Sequence, residues 1–170
     1  MILPKTLLSE EQIHKRVKDL GAQIKKDYEG QELILVGALR GSIIFMADLS
    51  RQLDPLTTQL EFMQVSSYQG KESTGNLTFL GDIAADIKGQ NVLLIEDIID
   101  TGLTLDFLIK HLREKEPKSL KICTLLNKNK IDYITIDYNG FDIPNNFVVG
   151  YGLDHNGRYR NLPYIGIIDP

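Results

Sequence analysis

The chain has 170 residues, with 19 Lys+Arg against 23 Asp+Glu and a formal net charge of −4. Hydrophobic residues make up 42% and charged residues 25%, ordinary globular values that exclude a disordered acidic tail or a low-complexity scaffold. The acidic balance disfavours nucleic-acid binding, the apolar runs fall far short of the roughly 18 residues of a membrane span, and the lone Cys123 cannot form an intrachain disulfide.

One domain is expected at this length, large enough to bury about 68–70% of its unfolded surface. The first residues, Met1 to Lys5, have no basic start followed by an apolar stretch, so no secretory leader is expected. With a single thiol, a reducing cytoplasm is the expected compartment. Ser9, Glu10, Glu11 and Gln12 read as a capping box, and Ile13, Val17, Leu20 and Ile24 follow at helical spacing. Gly30 closes that helix. Residues 33–36 form a short continuous apolar run, the mark of a strand buried on both faces. A tight turn at residues 37–42 leads to a helix predicted over 43–53 and stopped by Asp54 and Pro55.

Residues 60–65 read as a strand. Residues 66–76 are polar, contain two glycines and read as a long mobile loop of functional length. Residues 91–97 read as an apolar strand that ends in two acids. In the next helix Leu105, Leu108, Ile109 and Leu112 share a face, with Lys110, Arg113 and Lys115 at its far end. Residues 122–126 and 147–150 read as two further buried strands. Short apolar strands alternating with helices predict an α/β fold with a mainly parallel, twisted sheet. Ligands of such sheets bind at the C-terminal edge of the strands.

The chemistry concentrates at Glu96, Asp97, Asp100, Thr101, Gly102, Leu103 and Thr104, between a buried strand and a helix. A helix start offers free backbone N–H groups and the positive end of its dipole. Gly102 permits a tight turn and close approach of a ligand to the backbone. Thr101 and Thr104 add hydroxyl donors. No G-x-x-x-x-G-K-[ST] run is present, so this is not a P-loop. Three carboxylates repel phosphate unless they bind sugar hydroxyls, hold Mg²⁺ or take a proton. Together these groups suit a phosphorylated sugar.

The stretch from Val92 to Leu105 resembles the phosphoribosyl-diphosphate (PRPP) motif of type I phosphoribosyltransferases. The rest of the chain is similar to one branch of them, the hypoxanthine(-guanine) phosphoribosyltransferases. Leu39, Arg40, Gly41 and Ser42 resemble that branch's pyrophosphate loop, where the peptide before the residue matching Arg40 can be cis. Ser66, Ser67 and Tyr68 resemble the start of its flexible loop, and Lys128 its purine-binding lysine. Phe147 to Asp154 resemble its base-stacking segment, and Tyr159 to Leu162 its C-terminal arginine segment.

The resemblance implies transfer of the 5-phosphoribosyl group from PRPP to N9 of hypoxanthine or guanine, with release of pyrophosphate. Asp100 is then the catalytic base near N7 of the purine. Glu96 and Asp97 hold the ribose hydroxyls, directly or through Mg²⁺, and residues 100–104 cradle the 5′-phosphate. Leu39, Arg40, Gly41 and Arg160 face pyrophosphate, and Asp154 binds a second Mg²⁺ with it. Lys128 donates to the purine O6, Phe147 stacks on the ring, and the Val148 backbone meets the base edge. The 66–76 loop closes over the site and excludes water. Leu103 departs from family members that carry lysine there, so phosphate binding rests on backbone amides and the two threonines.

The resemblance further implies one domain over 1–170, with a core of about 30–138 and a hood from the N-terminal residues and about 139–170. A homodimer or homotetramer is expected, with small-molecule substrates and neither nucleic-acid nor membrane partners. Taken alone, Lys128 is a surface lysine and Phe147 a core residue; only the order of the motifs raises them. His14, His111 and His155 read as surface or structural, and Cys123 as an inert buried thiol. A regulatory RNA-binding protein on the same fold would need a basic face, which a charge of −4 speaks against. A phospho-acceptor domain would leave the Asp-Thr-Gly-x-Thr run unexplained. An adenine-specific transferase conflicts with Lys128, which cannot accept a hydrogen bond from the adenine amino group.

Overall fold

The run Asn91–Ile99 forms the strand around which the rest is arranged in the computed structural model, which describes residues 4–67, 77–128 and 133–168. In chain order the elements are β1 (Lys5–Leu8), α1 (Glu10–Asp27), β2 (Leu33–Leu39), α2 (Ile43–Arg51), β3 (Thr58–Ser67) and β4 (Leu77–Gly81). There follow β5 (Asn91–Ile99), α3 (Leu103–Glu114), β6 (Ser119–Asn127), β7 (Tyr138–Asp142), β8 (Val148–Val149) and β9 (Ile165–Ile167). Six strands make one sheet in the order β4-β3-β2-β5-β6-β7. All its pairings are parallel except that of β4 with β3, so the α/β, mainly parallel sheet expected from the sequence is present.

Strand β5 shows why its residues are continuously apolar. Leu93 and Ile95 enter one cluster with β2, α1 and α2; Val92 and Leu94 enter a second with α3 on the opposite face. A strand covered on both faces has no polar side to show. The capping box at α1 is formed: Ser9 Oγ accepts from the Gln12 N–H at 3.2 Å, and Gln12 Oε1 accepts from the Ser9 N–H at 2.8 Å. Helix α2 ends at Arg51, two residues before the predicted stop. The Gln52 and Leu53 amides turn to Leu49 O and Ser50 O, tightening the chain into the cis Asp54–Pro55 bond.

Three expectations need correction. Strand β5 runs on through Ile99, because Ile98 and Ile99 pair with Leu126 and Asn127; Glu96 and Asp97 therefore lie inside the strand and not at its end. The strand predicted over 147–150 is only Val148–Val149, and it is not in the parallel sheet. It pairs antiparallel with β9 in a small sheet of order β1-β9-β8. Strand β7 belongs to the large sheet through its pairing with β6. Ser66 and Ser67 are the last residues of β3, paired with Thr78 and Leu77, and not loop. Tyr68 and the remainder of the predicted mobile loop, 68–76, lie outside the described residues.

Helix α1 packs against the large sheet and so belongs with it, leaving β1 as the N-terminal part of the hood. Arg16 Nε donates to Gly140 O at 2.9 Å, and its Nη2 donates to Asn139 O, tying α1 to β7. Tyr138 donates from its hydroxyl to Asp27 Oδ2 at 2.6 Å, and Lys121 Nζ reaches the same oxygen at 3.1 Å. His111, read from sequence as surface or structural, is structural. Its ring packs 4.2 Å from that of Phe79, which stacks on Phe107, and its Nε2 lies 2.8 Å from Asp82 Oδ2. These contacts pin β4 to α3.

Leu93 is fully buried at the centre of β5. Leu93→Ala should lower unfolding stability by about 2–5 kcal/mol, through lost transfer energy and a residual cavity. Urea titration checks this; a shift below about 1 kcal/mol would mean that the two faces do not pack through β5 as described.

Candidate active site

Strand order reverses between β2 and β5, since their successors β3 and β6 lie on opposite sides. A crevice therefore opens at the C-terminal ends of these two strands. The chain after β2 is the turn through Arg40, Gly41 and Ser42, and the Leu39–Arg40 peptide is cis, as the resemblance implies. Gly41 carries no side chain for a definite reason: a Cβ there would fall 1.5 Å from Asp97 Oδ2. The carboxylate of β5 thus fills the space that any other residue at 41 would need.

Glu96 is buried and its neighbour Asp97 partly buried, two adjacent carboxylates. Asp97 Oδ1 accepts from the Ile98 N–H at 2.9 Å, and Glu96 Oε1 accepts from the Asp97 N–H at 3.3 Å. Burial, and next the Asp97 charge beside it, push the Glu96 carboxyl well above its usual range. Burial also raises Asp97, against hydrogen bonds to its carboxylate and the positive field of Arg160.

Beyond β5, Gly102 adopts φ 78° and caps α3, and the Leu103 N–H donates to Thr101 Oγ1 at 3.5 Å. The next amides of the first turn are left for a ligand. A small cavity of about 100 Å³ lies there, lined by Glu96, Asp100, Thr101, Gly102 and Thr104 among others. Larger cavities, of about 650 and 430 Å³, open beside residues 30–33 and 55–59, away from these carboxylates. Leu103 points outward and is 66% exposed, so it takes no part in the cradle through its side chain.

The Lys128 N–H donates to Ile99 O at 3.0 Å, which seats the residue after β6 beside the end of β5. Its Nζ then lies 3.5 Å from Asp100 Oδ2. Two residues 28 apart in sequence thus place a donor and a carboxylate side by side. Tyr133, which sequence reasoning did not single out, brings its hydroxyl within 3.5 Å of Thr101 O. Nothing in its local sequence marked it.

The hood supplies the remaining groups. Arg160 Nη2 lies 2.5 Å from Asp154 Oδ1, and its Nη1 donates to Gly152 O at 2.6 Å. Asp154 Oδ2 accepts from the Gly157 N–H at 2.7 Å. Gly152 has φ 104°, and a Cβ on it would fall 2.1 Å from Gly41 O, so the hood segment presses on the turn after β2. Phe147 is exposed, with its ring edge-on to His155 at 5.3 Å between centroids. His155 therefore joins the site, a placement that sequence reading missed because histidine and phenylalanine lie eight residues apart around a turn. Val148 is buried, in β8. Ser66 and Ser67 sit at the end of β3, one strand beyond β2.

A phosphoribosyl transferase domain family matches residues 5–156. The chain is 48% identical to a hypoxanthine-guanine phosphoribosyltransferase of Mycobacterium avium, across 96% of this chain and 85% of that protein. It is 50% identical to the enzyme of that name from Streptococcus pneumoniae, across 98% and 93%. A crystal structure of a hypoxanthine-guanine phosphoribosyltransferase from Bacillus anthracis superposes with a TM-score of 0.91 at 45% identity, covering 99% of this chain and all of that one.

The raised Glu96 carboxyl makes stability depend on pH. Between the ordinary carboxylate value of about 4.3 and the raised native one, the folded protein binds more protons than the unfolded chain. This contribution is complete below the ordinary value and is lost as pH climbs through the native one. Glu96→Gln, which stays neutral, should melt like wild type near pH 4 and above it near pH 8. Melting curves across that range check this, and a difference that does not grow with pH would remove the strain assigned to Glu96.

Proposed function

The chain belongs to the phosphoribosyltransferase family, on its hypoxanthine-guanine branch, and from that premise we propose the reaction and the role of each group. The protein is a purine-salvage transferase that moves the 5-phosphoribosyl group of PRPP to N9 of hypoxanthine, and also of guanine, giving the nucleotide and pyrophosphate. The observation that carries the site assignment is the pairing of Lys128 Nζ with Asp100 Oδ2 at 3.5 Å. O6 and N7 are neighbours along one edge of a 6-oxopurine. A donor for O6 beside an acceptor for the N7 proton matches that edge, and it mismatches adenine, which presents an amino group in place of O6.

In the reaction N9 attacks C1 of the sugar. The C1–O bond to pyrophosphate breaks, its electron pair leaves with the pyrophosphate, and the N7 proton passes to the Asp100 carboxylate. The sugar is cationic and oxocarbenium-like as this happens. The α3 amides, Thr101 and Thr104 hold the 5′-phosphate at one end. Arg160 and the backbone of Leu39, Arg40 and Gly41 stabilise the departing charge at the other. Phe147 stacks on the purine, and the Val148 backbone meets its edge. Water would compete for the cationic sugar, so the reaction requires its exclusion from the site.

Mg²⁺ fits the donors present. Glu96 and Asp97 form an adjacent pair of oxygen donors; burial raises both carboxyls and the Asp97 charge raises Glu96 further, a cost that a hard cation relieves. Among the described residues no three His, Cys, Asp or Glu side chains gather for a metal, and Mg²⁺ needs no such cage, being held by one or two carboxylates plus substrate oxygens. Glu96 and Asp97 would share one ion with the ribose hydroxyls, and Asp154 a second with pyrophosphate. The metal would supply charge neutralisation of the leaving group. The reading is completed by a cytoplasmic homodimer or homotetramer acting on small molecules.

Incubation with PRPP, Mg²⁺ and each of hypoxanthine, guanine, xanthine and adenine should give nucleotide with oxopurines and none with adenine. Formation of AMP, or of no nucleotide at all, overturns the assignment. Asp100→Asn should retain PRPP binding and lose about 10²–10⁴-fold in turnover. Full turnover would remove the base role. Lys128→Ala should weaken oxopurine use far more than PRPP binding; equal loss of both would make the lysine structural.

A further inference from the structure

Tyr151 stands between Gly150 and Gly152, whose φ values are 101° and 104°, and itself has φ 48°. It is 3% exposed and belongs to the same apolar cluster as Phe45, Met46 and Leu49 of α2. Its N–H donates to Leu162 O at 2.8 Å, and the Gly152 N–H donates to Arg160 O at 2.9 Å, so this backbone holds the segment bearing Arg160. Its hydroxyl leaves the hood altogether. It donates at 2.5 Å to Asp48 Oδ2 in α2, 103 residues away in sequence. The other Asp48 oxygen pairs with Arg51.

Helix α2 is the continuation of the turn after β2. Ser42 is its N-cap residue, and Ser42 Oγ donates back to Ala38 O at 2.6 Å, which locks helix and turn together. At the turn itself Gly41 O lies against Gly152. The contacts close a ring: Tyr151 to Asp48, α2 back to Gly41, and Gly41 against Gly152. Contact at one point would fix only the separation of the two segments. The second point, one helix length behind, fixes their tilt as well. Burial and the adjoining carboxylate push the Tyr151 phenol far up, so it remains a donor at physiological pH.

We propose that Tyr151 is a positioning residue for the pyrophosphate end of PRPP, acting through Asp48 to set the Gly152–Asp154–Arg160 face against the Arg40–Gly41 turn. It touches no substrate. The inference rests on the proposed reaction, because that reading assigns both faces to pyrophosphate.

The test is steady-state kinetics with PRPP and hypoxanthine on wild type, Tyr151→Phe, Asp48→Ala, Asp48→Asn, Arg51→Ala and the Tyr151→Phe/Asp48→Ala double variant. Losing the bond should raise the KM for PRPP about 5- to 10-fold in Tyr151→Phe and in Asp48→Ala. The kcat and the KM for hypoxanthine should stay within about twofold. Asp48→Asn keeps an accepting oxygen and should behave as wild type, as should Arg51→Ala. The double variant should be no worse than either single one. Should Tyr151→Phe fold poorly, the half-buried Asp48 carries the same test. An unchanged KM for PRPP in Asp48→Ala, or a parallel rise for both substrates with loss of melting temperature, overturns the positioning role. Wild type that forms nucleotide while the variants match it refutes this inference alone; wild type that forms none refutes the reaction and this inference with it.

Discussion

The Asp97 carboxylate occupies the volume that a side chain at position 41 would fill, and the rest of the site is arranged around that contact. Asp97 Oδ2 sits 1.5 Å from where a Gly41 Cβ would be, and Gly41 O in turn sits 2.1 Å from where a Gly152 Cβ would be. Three segments far apart in sequence thus meet with two glycines between them: the turn after β2, the interior of β5 and the hood. Only backbone can lie so close to backbone and carboxylate. The consequence is that the main-chain groups of the turn, the acids of β5 and the Arg160-bearing segment face one small volume. A diphosphate attached to a sugar needs donors of that kind on one side and carboxylates on the other.

Electrostatic design follows from the same crowding. Glu96 is buried and Asp97 partly buried, and burial drives both carboxyls upward. Such a pair is costly to fold and is retained where a ligand relieves the cost. Arg160 is close enough to Asp97 to oppose the rise, and it is also paired with Asp154 and bonded to Gly152 O. Arg160 is thus the cation shared between the hood and β5. By contrast Lys128 and Asp100 meet with the carboxylate half in water, so their pairing costs little to rearrange.

The parts legible in the sequence were those with local causes. The capping box at Ser9, the face of α3 and the doubly buried strands each follow from spacing within a dozen residues. The candidate groups were legible as motifs and not as neighbours: no spacing rule places Lys128 against Asp100 or Gly152 against Gly41. What was misread depended on distant partners. Val148 and Val149 look like any buried strand, and only β9 and β1, which pair antiparallel with each other from opposite ends of the chain, put them in a separate sheet. Ile98 and Ile99 extend β5 because Leu126 and Asn127 are there to receive them. Histidine 155 gained its place beside Phe147 through the turn between them, which tertiary packing sets.

Leu103 shows how the phosphate end works without a lysine. The residue opens α3 with its side chain in solvent, and the preceding Gly102 has a left-handed backbone that turns the first amides of the helix outward. Those amides are fixed by the fold before any ligand arrives. Their dipoles need no side-chain ordering when phosphate binds, whereas a lysine at 103 would have to give up rotamer freedom to reach it. A charge at that position would add attraction at long range; the backbone supplies directionality at short range. Since the carboxylates of Glu96, Asp97 and Asp100 lie within the same few residues, the local field at this end is already mixed. In the proposed reaction, recognition of the phosphate rests on the geometry of the helix start, which β5 holds in place through its pairing with β2 and β6.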